Sequence, residues 1–319
     1  MSTDETRCLV TGATGYIGGR LAPVLLDRGH AVRALARNPD KLAAMPWRER
    51  VEVIRGDLGE PDSLTAAFEG VDVVFYLVHS MGTSQDFVAE EARSARNVVA
   101  AARRAHVKRL VYLGGLHPPG VDLSPHLRSR TAVGDILLES DIETVVLQAG
   151  IVIGSGSASF EMMRHLTNRL PAMTTPKWVH NRIQPIAIDD VLHYLAEAAE
   201  VTVPASRTWD IGGPDVFEYG DAMQGYAEVA GLRRRLIVAI PFLTPTIASL
   251  WVGLVTPMPP GLARPLIESL EVDAVMADHD VDSVIPPPKQ GLIGYRDAVA
   301  RALRDGPLPT DPQWAHVGR

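Results

Sequence analysis

A chain of 319 residues, 46% hydrophobic and 22% charged, holds enough apolar material for one large core or two modest ones, which excludes a disordered or fibrous protein. Its 31 basic residues against 38 acidic ones give a net charge of −7, so polyphosphate is not attracted overall, and no basic patch of useful size points to nucleic acid. The single cysteine, Cys8, excludes a disulfide framework or a multi-cysteine zinc site. It fits a reducing cytoplasm, as does a polar start at residues 1–7 without the basic and apolar regions of a secretory signal.

From the N-terminus, short β-branched runs alternate with amphipathic stretches, the pattern of parallel strands joined by crossover helices. The predicted strands are Arg7 to Thr11, Ala31 to Ala36, Val51 to Ile54, Val71 to Val78, Arg109 to Leu113 and Thr144 to Gln148. Ile17, Leu21, Val24 and Leu25 mark one helix face; Phe87, Val88, Ala92, Ala95, Val98, Val99 and Ala102 mark another. Asn38 before Pro39, and Pro61 with Asp62 and Ser63, predict helix starts.

The first strand runs into a G-x-x-G-x-x-G turn, Gly12, Thr14, Gly15, Tyr16, Ile17 and Gly18, which opens the first helix. Glycines allow the tight turn and close backbone approach, so a pyrophosphate can sit where free N–H groups and the helix dipole favour anions. After the first strand of a βαβ pattern this turn predicts a dinucleotide. About 20 residues on, an acidic side chain would bind a ribose 2′-hydroxyl; here Ala36 and Arg37 stand instead. Arg37, with Arg33 or Lys41 as alternatives, can pair a 2′-phosphate, so NADP(H) is expected over NAD(H). Asp57 and Leu58, after the third strand, are placed to touch the adenine.

The glycine turn, Gly56 to Leu58, the fourth strand, Gln184 to Val191 and Trp209 to Pro214 together resemble the short-chain dehydrogenase/reductase superfamily in its extended and atypical NAD(P)H-binding branch. That branch includes NmrA-like sensors, isoflavone-reductase-like enzymes and the Rossmann accessory subunit of respiratory complex I. The resemblance covers most of residues 5–215. It implies an α/β fold, a Rossmann doubly wound parallel sheet, with a smaller, mostly helical C-terminal substrate domain. The corresponding division is a cofactor domain at 1–155, rejoined by 181–213, and a substrate domain at 156–319.

The superfamily's usual catalytic set is a serine after the fifth strand and a Tyr-x-x-x-Lys pair. This chain has Leu113, Gly114, Gly115 and Leu116 at the first place and His126 and Arg130 at the second. Arg130 can replace lysine as the clamp on the nicotinamide ribose, and His126 can exchange a proton near neutral pH. The alternative is two residues one turn apart on a packing helix, in a site that binds cofactor without fast chemistry. Val78, His79 and Ser80, at the carboxyl end of the fourth strand, should face the nicotinamide ribose. His79 is a second candidate donor to a developing oxyanion, or a packing residue. Gly150 and Ile153, after the sixth strand, are expected in the nicotinamide wall.

Leu236 to Ala263 lack any Asp, Glu, Lys or Arg, and are bounded by Arg233, Arg234, Arg235 and Arg264. The length could span a bilayer. Pro241, Pro245, Pro257, Pro259 and Pro260 break it into pieces, so the first reading is the lining of an apolar substrate pocket with Ile240, Phe242, Leu243, Ile247, Leu250, Trp251 and Leu254. A peripheral membrane patch through 236–263 is the second reading, and a transmembrane helix the third. Asp280 to Lys289 reads as a loop, Tyr295 to Leu303 as a terminal helix, and Gly306 to Arg319 as loosely ordered. No HExxH, Walker lysine, nucleophile elbow or CxxC pair occurs, and no metal site is expected.

The expectation is an NADPH-dependent oxidoreductase delivering hydride to a hydrophobic carbonyl or conjugated alkene. A non-catalytic NADP(H)-binding redox sensor or assembly factor is the alternative, and an epimerase or dehydratase the third reading. The sequence leaves the oligomeric state open.

Overall fold

The computed structural model of the protein describes residues 5–79, 86–240, 252–253 and 255–317. The alternation read from the sequence yields β1 (Arg7–Thr11), α1 (Tyr16–Asp27), β2 (Ala31–Ala36), β3 (Glu52–Arg55), the short α2 (Thr65–Phe68), β4 (Val73–Tyr76), α3 (Phe87–Arg104), β5 (Arg109–Gly115), α4 (Pro125–Leu138) and β6 (Glu143–Ala149). These six strands and an edge strand at Arg207–Ile211 form one sheet, ordered edge strand, β6, β5, β4, β1, β2, β3. All its pairings are parallel. The order reverses between β1 and β4, and the crevice outside the strands' carboxyl ends at such a point is where this architecture binds ligands.

Both sheet faces are covered, because neighbouring strand residues point to opposite sides and both are apolar. Val10, Phe75 and Val145 pack with Leu21 and Leu25 of α1 and Val191 and Leu195 of α6 (Ile188–Glu197). Leu9, Val74 and Val146 pack with Val98 and Ala102 of α3 and Leu137 of α4. Val88, expected on the buried face of α3, is exposed. Asn38 caps a 3-10 turn at Pro39–Leu42 by accepting from the Asp40 N–H at 3.1 Å.

Beyond β6 a further core forms around Phe160, Met163, Leu166, Trp178, Tyr226 and Val299. It draws on α5 (Ala158–Arg169), α7 (Tyr219–Val229), α8 (Pro260–Ser269) and α9 (Tyr295–Arg304). Buried Gln184 joins the returning segment to its surroundings: its amide donates to the Gly213 carbonyl at 2.8 Å and accepts from the Met276 N–H at 3.0 Å.

Two expectations about the second half change. Residues 306–317 are pinned rather than loose. Asp311, its side chain only 1% exposed, takes both terminal nitrogens of Arg20 in α1 at 2.7 and 3.0 Å and accepts from the Leu308 N–H at 2.7 Å. Leu236–Ala239 is a strand paired with Ala172–Thr175, and it leaves Leu236 63% and Val238 47% exposed. Ile240 continues that ribbon through an N–H bond to the Thr175 carbonyl at 2.7 Å. The other expected pocket residues, Phe242, Leu243, Ile247, Leu250, Trp251 and Leu254, lie outside the described residues. Among the described residues no helix is long and apolar enough to cross a membrane.

Candidate functional site

The turn between β1 and α1 is set by contacts that admit only glycine. Gly12 has φ +73°, and a β-carbon there would lie 2.7 Å from the Leu77 carbonyl oxygen. One on Gly18 would run into the Gly12 carbonyl, which already accepts from the Gly15 N–H at 2.8 Å. Thr11 ties this end of β1 to β4, its hydroxyl donating to the Phe75 carbonyl at 3.0 Å and accepting from the Leu77 N–H at 3.2 Å. No side chain caps α1, and its first turn holds no acidic residue, so its leading N–H groups remain directed at an anion. Thr14 is half-buried beside them, and Val78 packs close to Gly12. The cradle fits a pyrophosphate.

Arg37 is exposed at the end of β2, with no ion pair or side-chain hydrogen bond among the described residues. Arg33 is not an alternative: it is buried, bonded to Glu52 at 2.7 Å and to the carbonyls of Ala67 and Glu69. The Asp57 carboxylate accepts from the Gly59 N–H at 2.9 Å and shapes its own turn, while Leu58 is buried against Leu9 and Leu35.

Past this turn lies a cavity of about 300 Å³. One wall consists of the strand ends and α4: Leu77, His79, Gly114, Gly115, Leu116, Ala149, Gly150, His126 and Arg130. Tyr16 and Ile17 of α1 also border it. The facing wall, which the sequence did not reveal, includes Met162 of α5, Tyr219 of α7, Leu266 of α8, Leu270 just after it, and Ala274. His79, Gly150, His126 and Arg130 are therefore brought together as expected. Ile153 is not: its side chain is buried in the second core and borders a separate cavity of about 410 Å³ behind α1. Ser80 lies outside the described residues.

Arg130 is the charged group of the cleft. The Tyr112 hydroxyl holds its backbone carbonyl at 3.1 Å, which fixes that turn of α4. Its guanidinium has no ion pair among the described residues, and the buried Nε has no hydrogen-bond partner. Glycine at 115 makes room for Leu127, from which a β-carbon there would lie 2.8 Å, while Arg130 would stand in ordinary contact with it at 3.7 Å. Burial lowers the pKa of Arg130, yet arginine keeps its charge. Both imidazoles are held neutral. Burial, helped by the Arg130 charge, lowers the pKa of His126 to about 3 and moves His79 well below the usual histidine value. Neither is an imidazolium acid near neutrality. Each instead offers one N–H and one lone pair.

This neutrality has a stability signature. An unfolded histidine takes its proton near pH 6.5, whereas folded His126 resists it down to about 3. Between those values the unfolded chain binds the extra proton, so this stabilisation is complete above pH 6.5 and shrinks as pH falls toward 3. The limiting slope is about 1.4 kcal/mol per pH unit. Urea unfolding between pH 7 and pH 5 checks this: the wild-type protein loses stability on acidification, and His126→Gln loses less.

The chain resembles known proteins in this region. The profile of the NAD(P)H-binding family matches residues 12–150. A 3β-hydroxysteroid dehydrogenase/Δ5→4-isomerase of Mycobacterium tuberculosis is 36% identical over 122 residues, 35% of this chain and 32% of that enzyme, so the match spans about a third of the relative's length. A ceramide reductase of Caulobacter vibrioides is 27% identical over 241 residues, 74% of this chain and 75% of that protein. Among solved structures, the Citrobacter sp. triphenylmethane reductase complexed with NADP(H) superposes with a TM-score of 0.70 at 21% identity, covering 93% of this chain and 99% of that one. That likeness shows the same fold. The glycine cradle at the start of the matched stretch and the sheet order agree with this likeness to the NAD(P)H-binding family over residues 12–150.

Proposed function

We propose that the protein is an NADPH-dependent reductase acting on a carbonyl, or an alkene conjugated to one, in a hydrophobic substrate. The observation that carries this reading is Arg130, a half-buried arginine whose buried Nε has no hydrogen-bond partner and whose guanidinium has no ion pair among the described residues, on the wall of a largely apolar cleft beside the strand ends. A partly desolvated charge held without an ion pair is costly, and it suits a place where negative charge appears during reaction.

When bound, the reduced nicotinamide supplies a hydride. Arg130 then stabilises the negative charge that builds on the substrate oxygen, through donors that need no reorientation. His126, neutral, donates its N–H to the same oxygen or relays a proton to it from solvent; a neutral imidazole acting as an electrophile has precedent among enzymes. Leu266, Leu270 and Met162 exclude water from the facing side. Arg37, exposed and uncommitted, supports a preference for the 2′-phosphate of NADPH. The apolar lining supports a lipid-like substrate, in keeping with relatives named for a ceramide and a 3β-hydroxysteroid.

The test is loss of NADPH absorbance with a panel of hydrophobic ketones, enones and quinones. The reading expects turnover, faster with NADPH than with NADH. Tight NADPH binding with no turnover on any member would favour the second reading, a redox sensor or assembly factor. Gly114, Gly115 and His126 standing where the superfamily has its serine and tyrosine support that alternative.

A further inference from the structure

The wall facing Arg130 is mostly apolar, and of its polar side chains Ser157 and Ser269 already donate to the carbonyls of Val152 and Pro265. Tyr219, the first residue of α7, borders the cleft among Met162, Leu266, Leu270 and Ala274. It is held firmly. Its backbone N–H donates to the Asn181 carbonyl at 3.0 Å, and its ring stands edge-on against Trp178, with centroids 5.3 Å apart and planes at 87°. The side chain is 1% exposed, and its hydroxyl is buried without a hydrogen-bond partner among the described residues.

Tyrosines of the same core are treated differently. The Tyr295 hydroxyl donates to the Ala222 carbonyl at 2.7 Å, and that of Tyr226 to Asn168 at 3.1 Å. Buried hydroxyls are nearly always satisfied, because leaving one unpaired costs its full desolvation. Tyr219 is rigidly held and borders a ligand cleft, and its buried, unpaired hydroxyl fits a bond that forms when a ligand enters and the side chains around it give way. Burial also raises the pKa of Tyr219, so the hydroxyl keeps its proton and stays a donor.

We propose that the Tyr219 hydroxyl reads an oxygen of the substrate distinct from the one that is reduced. On this assignment, which rests on the reductase reading above, the substrate is an apolar molecule with two oxygen functions. A reducible carbonyl lies beside Arg130, and a hydroxyl, carbonyl or amide oxygen meets Tyr219 between the aliphatic side chains of α5 and α8. Tyr219 is a specificity residue and takes no part in hydride or proton transfer.

The test uses two probes that differ by one oxygen, 2-nonanone and 9-hydroxynonan-2-one, titrated calorimetrically into the protein saturated with NADP+, where no turnover occurs. The wild type is expected to bind the hydroxyketone about tenfold more tightly. Tyr219→Phe, which removes an atom that bonds to nothing in the protein, is expected to bind both probes alike while keeping its affinity for NADP+. With NADPH, the substitution should raise KM for the hydroxyketone more than it lowers kcat. Equal affinity of the wild type for both probes would overturn the assignment, as would discrimination that survives Tyr219→Phe or binding of neither probe. Should the variant not fold, wild-type discrimination alone decides. Discrimination without NADPH oxidation would sink the reductase reading and leave Tyr219 standing; oxidation without discrimination would do the reverse.

Discussion

Gly18→Ala is expected to weaken NADPH binding by about a hundredfold or more, the scale on which a displacement near 1 Å acts in a preorganised site. The added methyl would occupy the space of the Gly12 carbonyl oxygen, with the Ala13 Cα 3.0 Å away. Both contacts are backbone, so relief requires the turn to open. Opening it moves the first N–H groups of α1 off the phosphate position and loses their joint attraction for the anion. Gly29→Ala is the control. Gly29 also has a positive φ, +87°, but a β-carbon there meets nothing within 4 Å. It should cost about 1 kcal/mol of stability and leave cofactor affinity alone. Equal loss of binding in both variants, or in neither, would show that the cradle does not hold the phosphate.

Arg130→Met is expected to act in opposite directions on rate and stability. Removing a preorganised donor at a developing oxyanion lowers kcat by about 10²- to 10³-fold. Methionine fills much of the same volume without a charge, and the guanidinium it replaces has no anionic partner among the described residues, so urea unfolding should show unchanged or higher stability. Arg130→Lys should recover part of the rate, because it keeps the charge and loses the planar fork. A variant that loses stability together with rate would mean that Arg130 holds α4 in place and does no chemistry.

What the sequence disclosed follows the range over which each interaction acts. Period-two apolar runs and the glycine turn are local, and the structure has strands at all six predicted places, with ends moved by a few residues. Val71 to Val78 shrinks to Val73–Tyr76, which frees Leu77 and His79 to line the cleft as loop. His126 and Arg130 were legible only through the resemblance, because they stand at the spacing of the superfamily's Tyr-x-x-x-Lys pair. Arg33, an alternative to Arg37 in the sequence, is already committed, and this was not legible because its partners, Glu52 and the carbonyls of Ala67 and Glu69, come from the neighbouring strand β3 and the end of α2.

The same limit explains the rest. Prolines and glycines after Gly306 suggested a loose tail, but Asp311 finds Arg20 at a separation of 291 residues, and nothing local announces a partner that far away. Tyr219, Leu266, Leu270 and Ala274 were invisible as site residues because tyrosine and leucine are core residues by default. Only the sheet's return through Gln184 to Ile211, and the packing of α7 and α8 beyond it, carry them to the mouth of the strands.

The most direct measurement is calorimetric titration of NADPH and NADH into the wild-type protein and Arg37→Ala. The account predicts NADPH tighter than NADH by about ten- to a hundredfold in the wild type, as a charged pair on the 2′-phosphate would give, and nearly equal affinities once the arginine is gone. No heat with either nucleotide would contradict it, as would a preference for NADPH that Arg37→Ala leaves intact.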